Sequence, residues 1–537
     1  MKDTKKQKKE YEYEKENDGI LILEQGKKGL LRFFFGHALL TVILVLIQMG
    51  VFIYLFTVLQ SHIVYYFGVS TLISVVLLLW VLNRSGNPMF QLGWCILILI
   101  SPIVGGVTYV IFETNLGSRM INYRLKRLEK EIGKYIKQDD NVAAELKKTS
   151  VAAEGLCRYV GSTGAFPVFK NGGMKYFPIG EDMFEEMLLR IKNAKKFIFL
   201  EYFIVEEGFM WGKILKVLEE KVKEGVEVRL IYDGLCSVML LPVKYPKKLK
   251  KLGIKCKIFS KLKPMFSTTY NNRDHRKILV VDGEYGFTGG VNLADEYINL
   301  KKRFGHWKDT GVMISGKAVD SMTLMFLQMW NIDELKPEDY GRFISANDNV
   351  NFAEEQGFVQ PFSDNPFDKE QVGKRVYLDI INRAERRVDI MTPYLILDYE
   401  MMQALKFAAK RGVSVNIIMP HIPDKKYVFA VSRTFYPELI KAGVHVYEYT
   451  PGFVHAKGIV ADGIVASVGS INFDYRSLYL HFECGVFFYG VEEIKDIEKD
   501  MQETIAKSEE IKAKNGGFKG FWLRVWGALL KVFSPLF

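Results

Sequence analysis

Three long stretches near the start of the chain, 33–59, 63–82 and 89–112, contain no Asp, Glu, Lys or Arg. Each is long enough to cross about 30 Å of hydrocarbon as a helix. A buried core helix rarely runs so far without a charge. The pattern predicts two or three membrane-spanning helices, the last bent at Pro102 and the Gly105–Gly106 pair. A cleaved signal peptide does not fit, because the first run is too long and two more follow it. From about residue 150 the period changes. Short apolar runs alternate with amphipathic ones: KKFIFLEYFIV, WGKILKVLEEKVKEG and VEVRLIYD, then RRVDIMTPYLI, YEMMQALKFAAKRG and VSVNIIMP. Strand, helix and strand in that order predict an α/β body with a parallel or mixed sheet and helices outside it. Gly225 and Gly412 stand where helix C-caps belong. Near the end, Phe518, Phe521, Trp522, Val525, Trp526, Leu529, Leu530 and Phe533 recur at helical spacing, punctuated by Lys519, Arg524 and Lys531. That is an amphipathic helix suited to a membrane interface, or to docking on the protein's own surface.

These changes of pattern divide the chain into a charged disordered tail (1–30), a transmembrane module (31–113), a linker (114–149), two α/β halves (150–345 and 346–515) and the amphipathic helix (516–537). Lys and Arg number 73 against 62 Asp and Glu, a net charge of +11. Such an excess favours anionic partners, nucleic acid or an acidic lipid surface, without choosing between them. Lys27, Lys28 and Arg32 flank the first apolar run, and Arg119, Arg124, Lys126 and Arg127 follow the last. Three spans would put the two groups on opposite sides; the larger, later group places the body in the cytoplasm. The five cysteines are scattered, odd in number and without a CxxC pair, which argues against a disulfide framework or a zinc site.

The two halves share a motif. DHRKILVVDGEYGFTGGVN at 274–292 and VHAKGIVADGIVASVGSIN at 454–472 align without a gap as H-x-K-x4-D-x6-G-x-x-N. The first copy is His275, Lys277, Asp282, Gly289 and Asn292; the second is His455, Lys457, Asp462, Gly469 and Asn472. Two copies extended by the same Gly and Asn, about 180 residues apart, point to duplication and to half-sites meeting across a pseudo-twofold axis. His and Lys two apart on a strand share a face, and the Asp-Gly that follows each is a hairpin signal.

Two His, two Lys and two Asn make a donor-rich basic pocket suited to a phosphate. Lysine charges and asparagine amides hold non-bridging oxygens in a trigonal-bipyramidal transition state. One imidazole can attack phosphorus and the other can protonate the leaving alkoxide. No metal or other cofactor is required, and the motif has no carboxylate cluster to hold a metal. Glu483, 28 residues after His455, and Asp309, in HWKDTG, as the counterpart for His275, are candidates to bond a far ring nitrogen and fix its tautomer. His306, His421, His445 and His481 lack the pattern and read as structural, with His306 and His481 near the pocket. His37 and His62, in or beside the apolar runs, suit interhelical or interfacial hydrogen bonds.

These residues resemble the phospholipase D superfamily, whose hallmark is a pair of H-x-K-x4-D motifs, and more closely its bacterial cardiolipin synthases. EYFIVEEG, GVEVRLIYDG, TGGVNLADEY, FVHAKGIVAD and VGSINFDYRSLYLHFE resemble their catalytic signatures, and 87–112 resembles their membrane module. The resemblance covers about residues 31–537, with three apolar runs where two spans are common in the family. It implies a duplicated α-β-α sandwich with pseudo-twofold symmetry behind N-terminal transmembrane helices. It also implies transfer of a phosphatidyl group between two phosphatidylglycerols, with His275 as nucleophile and His455 as acid and base. Lys277, Lys457, Asn292 and Asn472 would hold the phosphate, with the Ser470 hydroxyl and the Gly290 backbone beside them. Asp282 and Asp462 complete the motifs by closing their hairpins. The expected setting is a bacterial plasma membrane crossed several times, with phosphatidylglycerol and anionic lipid as partners and no nucleic acid. A phospholipid hydrolase uses the same pocket with water as acceptor. A membrane-bound nuclease needs an open basic groove and gains nothing from an amphipathic tail, and a lipid-binding scaffold needs no paired histidines.

Overall fold

A computed structural model describes residues 63–512 apart from 85, 114–115, 243, 261–270, 345–354 and 369, together with 50, 53–54, 57 and 530–531. The tail 1–30 lies outside the described residues. So does most of the first apolar run, and so does 516–537 except Leu530 and Lys531. That pair rests on the body, with Lys531 Nζ 4.5 Å from the Phe435 ring centre. Among the described residues no helix is long and apolar enough to cross a membrane.

The third apolar run is not continuous. It forms the helices Pro88–Ile100 and Pro102–Glu113, broken where Pro102 lacks the N–H that would carry the first helix onward. The two fold back on each other and on the helix Ile63–Leu82. Glycine permits this approach: a Cβ on Gly105 would stand 2.6 Å from Leu97 O, and one on Gly106 2.4 Å from Leu77 Cδ1. At the start of this hairpin Phe90 meets Tyr475 and Tyr479 edge-on, each at 5.8 Å between ring centres.

The body holds two large sheets with the same strand order. In the first, the order is Met174–Phe177, Gly311–Ser315, Tyr285–Gly289, Lys277–Val281, Phe197–Tyr202, Glu227–Asp233, Lys255–Phe259. In the second, it is Glu355–Asp364, Glu483–Tyr489, Val465–Gly469, Gly458–Ala461, Arg387–Met391, Ser414–Pro420, His445–Tyr449, with Phe169–Asn171 and Ser508–Glu510 added at the edges. In each sheet the last three strands of this order run parallel and the other neighbours antiparallel. The duplication read from the motifs therefore extends to the whole topology.

Period-two alternation sorts the strand residues between layers. Phe197 and Phe199 point into a core shared by both halves, where Ile278 and Val280 meet Val460, Val468 and Val486. Ile198 and Leu200 point outward to the helices Gly180–Asn193 and Phe209–Lys223. Helices Val372–Arg383 and Tyr399–Lys410 cover the second sheet in the same way. Helices Ala318–Trp330 and Ile494–Ala506 pack into the shared core, so each half is an α-β-α sandwich. Gly225 and Gly412 end their helices at φ +94° and +95°, as C-caps do.

Both motif hairpins turn at Asp-Gly with positive φ at both residues: 56° and 72° at Asp282–Gly283, 55° and 69° at Asp462–Gly463. The aspartate side chains work at this end of the strand. Asp282 accepts from the backbone N–H of Lys195, Lys196 and Phe197 at 2.7, 2.7 and 2.9 Å. Asp462 accepts from Glu385, Arg386 and Arg387 at 2.7, 2.8 and 2.8 Å. Each pins the start of its central strand. Replacing Asp282 by Ala orphans three donors and should cost about 3 kcal/mol, read as a lowered thermal unfolding midpoint of the detergent-solubilised chain.

Candidate active site

Each motif histidine is held by the opposite half. The residue before His275, Asp274, bridges in parallel to Phe482, and His275 N–H donates to Phe482 O at 2.9 Å. In the mirrored position, Gly452–Val454 pairs in parallel with His306–Lys308, and His455 N–H donates to Lys308 O at 2.7 Å. This register sets each imidazole against the carboxylate that follows the partner strand. His275 Nδ1 lies 2.9 and 3.0 Å from the two oxygens of Glu483. His455 Nδ1 lies 2.7 Å from Asp309 Oδ2. The sequence-based pairing of Glu483 with its own-half His455, and of Asp309 with His275, is thus crossed in the fold, because the strands that carry them pair between halves.

The dyads are buried and differ in their surroundings. Glu483 also accepts a short hydrogen bond from Ser470 Oγ. Asp309 accepts from Thr310 N–H at 2.9 Å and Trp307 Nε1–H at 3.5 Å. Lys277 and Lys457 each donate to the carbonyl of their own motif histidine. Lys457 Nζ also lies 2.8 Å from His455 Nδ1, so this nitrogen stands between a carboxylate and an amine. Burial drives the His275 pKa down to about 3 against the pull of Glu483. Burial, then Lys457 and Lys277, hold His455 well below its ordinary value. Burial lowers Lys277 to about 8 and Lys457 to about 7. Burial alone would raise Glu483, but His275, His481 and Lys277 outweigh it and keep the carboxylate ionised. Burial lifts Asp309 to about 6. The resting site therefore holds neutral imidazoles at the cavity beside two lysines whose charge burial weakens and a nearby anion strengthens.

His275, His455, Asn292 and Asn472 line one cavity of about 590 Å³. The two asparagines are not equivalent. Asn292 Oδ1 accepts from Ile204 N–H at 3.0 Å and its Nδ2 donates to Tyr297 OH at 2.9 Å. Asn472 Oδ1 is buried without a partner. Ser470 and Gly290 do not line the cavity. Ser470 faces Glu483, and it accepts from Cys484 N–H at 3.0 Å. A Cβ on Gly290 would stand 1.9 Å from Asp309 Oδ1, so glycine here makes room for the carboxylate. Both residues support the dyads from behind rather than facing a ligand, a correction to their expected place beside the phosphate.

Other residues at the site carried weaker signals. Phe203 packs against the His275 ring at 5.1 Å, and Tyr297 and Trp307 against His455, each at 5.3 Å. Their side chains fix ring planes, a role that spacing alone does not announce. Arg276, inside the first motif, donates to Glu201 at 2.7 Å and ties the motif strand to the sheet centre. His481 lines the cavity 5.5 Å from the His275 ring. His306 bonds Tyr449 OH at 3.1 Å and does not line the cavity. His421 and His445 pair with Glu448 and Glu510 away from it.

A family profile described as "Cardiolipin synthase, PLD-like domain" matches residues 187–330 and 377–505, one segment in each half. A cardiolipin synthase of Geobacillus kaustophilus is 33% identical over 88% of this chain and 93% of its own length. An uncharacterised protein of Streptococcus mutans is 46% identical over 85% of this chain and 99% of its own length. Among solved structures, the phosphatidylserine synthase of Haemophilus influenzae superposes with a TM-score of 0.54 at 14% identity, over 72% of this chain and 98% of that one; it shares the fold. With both dyads inside the matched segments or beside them, the chain belongs to the phospholipase D-like cardiolipin synthase family of phosphatidyltransferases.

Proposed function

We propose that the enzyme moves a phosphatidyl group from one phosphatidylglycerol to another, releasing glycerol, through a covalent phosphohistidine. The observation that carries this is two imidazoles on one cavity, each backed by a carboxylate from the opposite half. His275 attacks phosphorus through Nε2, because its Nδ1 proton is held by Glu483. The P–O bond to the glycerol headgroup breaks, and His455, which takes up a second proton once the phosphate anion binds beside it, protonates the departing alkoxide from Nε2. A second phosphatidylglycerol then enters, and its terminal hydroxyl gives a proton to His455 and attacks phosphorus. The P–N bond breaks, leaving cardiolipin and free His275. Lys277, Lys457 and Asn472 hold the phosphate oxygens, and the incoming anion raises the pKa values of the lysines that burial lowers. The unequal settings of the two Nδ1 atoms favour this division of roles, since only His455 has an amine beside the carboxylate.

In this reading residues 31–113 anchor the enzyme in a bacterial plasma membrane as a multi-pass module, with the body on the cytoplasmic side. Residues 150–345 and 346–515 act as the two catalytic halves, with 516–537 on the membrane surface. A bilayer supplies the acceptor alcohol at high local concentration and excludes water, which favours transfer over hydrolysis.

Purified enzyme given phosphatidylglycerol in liposomes should yield cardiolipin and glycerol. Phosphatidic acid as the main product would establish a hydrolase, and DNA cleavage without lipid turnover a nuclease. His275→Ala should abolish turnover, and a His455 variant should accumulate the phosphoenzyme, visible as acid-labile label from radioactive phosphatidylglycerol. Glu483→Gln should lower kcat by about 10²-fold or more, in the range of general acid–base effects, with the thermal midpoint little changed. For pH, the lysines are charged below their folded pKa values and neutral above. kcat/KM should therefore fall as pH rises through about 7 to about 8. The alkaline limb of kcat should lie higher, because bound phosphate raises both values.

A further inference from the structure

His481 is the one histidine at the cavity that the reaction above does not use. Its side chain is nine-tenths buried, at 10% exposure. Both its ring nitrogens are buried and without a hydrogen-bond partner, an arrangement that leaves desolvated polar atoms uncompensated. Its Nδ1 lies 3.8 Å from Glu483 Oε1, the same oxygen that sits 2.9 Å from His275 Nδ1. One donor atom from each of His275, His481 and Glu483 falls within 4.8 Å of the others.

Two imidazoles and one carboxylate form a donor set used for Zn²⁺, which takes nitrogen and oxygen ligands tetrahedrally at about 2.0–2.2 Å, leaving a fourth position open. Such bonds place neighbouring donors about 3.4 Å apart. The separations of 2.9 and 3.8 Å bracket that value. The imidazole donors stand within 4.8 Å of each other, so seating an ion closes that edge by up to about 1.4 Å. We propose that His275, His481 and Glu483 form a binding site for a single zinc-like divalent cation, and that its occupancy blocks the enzyme.

The block follows from the tautomer. An ion bonded to Nδ1 of neutral His275 displaces the proton shared with Glu483, and that proton moves to Nε2. No proton is released, but the nitrogen facing the cavity loses its lone pair and cannot attack phosphorus. The open fourth position of the ion can take water or a phosphate oxygen. The metal site rests on the donor geometry, and the block rests on the reading of His275 as the attacking group.

The test uses the full-length chain in detergent micelles. Co²⁺ should bind at one equivalent with the visible absorption of tetrahedral coordination, and Zn²⁺ should displace it. Zn²⁺ should reversibly inhibit phosphatidylglycerol turnover, with activity restored by a chelator. His481→Asn should weaken Zn²⁺ affinity at least tenfold and raise the inhibitory concentration in parallel, each read against that variant's own metal-free rate. Absence of a Co²⁺ spectrum, or an unchanged Zn²⁺ affinity in His481→Asn, would overturn the site. X-ray absorption at the zinc edge of the wild-type chain gives a check that needs no variant: two imidazoles in the shell support the site, one or none overturns it. His481-dependent binding that leaves turnover intact would overturn His275 as nucleophile while upholding the metal site.

Discussion

The structure depends on an exchange of hydrogen bonds between the halves: the imidazole of each meets the carboxylate of the other. Neither ring has its carboxylate within its own half. The short parallel pairings at Asp274–Phe482 and across Gly452–Val454 and His306–Lys308 set the register of both contacts. The shared core beneath, where Ile278 and Val280 face Val460 and Val468, keeps the two sheets at the separation those pairings need. Packing and chemistry are therefore one constraint: a shift between the sheets opens both dyads at once.

Burial decides what the exchange is worth. An exposed histidine–carboxylate pair contributes little, because water screens it. Here Glu483 and Asp309 are fully buried, and each imidazole has its near nitrogen occupied and its far edge at the cavity. Desolvation that strips charge from His275 and Lys457 also makes the pocket responsive: a single phosphate anion shifts every ionisable group in it in the same direction. The lysines are held at their own motif carbonyls.

Local features were legible in the sequence. The H-x-K spacing put two polar side chains on one strand face, and Asp-Gly marked both hairpins. Gly225 and Gly412 marked helix ends, and the repeat foretold two sheets of like order. What could not be read was non-local. Asp309 and Glu483 were identifiable as carboxylates near the motifs, yet which histidine each would meet depends on strand pairing between halves more than a hundred residues apart, as Asp309 and His455 are. Ser470 and Gly290 stand two residues before the motif asparagines in both copies and so looked like ligand contacts; the pleat turns them toward the carboxylates instead. The 89–112 run read as one span bent at Pro102; the sequence marks the break but not that the chain doubles back there into a hairpin.

A lone half carries a ring without its carboxylate and a carboxylate without its ring. Two identical copies related by a twofold axis would supply both deficits, so one gene encoding a self-associating polypeptide would have been enough to make the double site. Joining the copies in tandem removed the requirement that they stay alike. The two sides have since drifted apart where symmetry once tied them: glycine and aspartate stand at 290 and 309, serine and glutamate at 470 and 483. That drift makes the two half-sites chemically distinct, each ring backed by a different carboxylate.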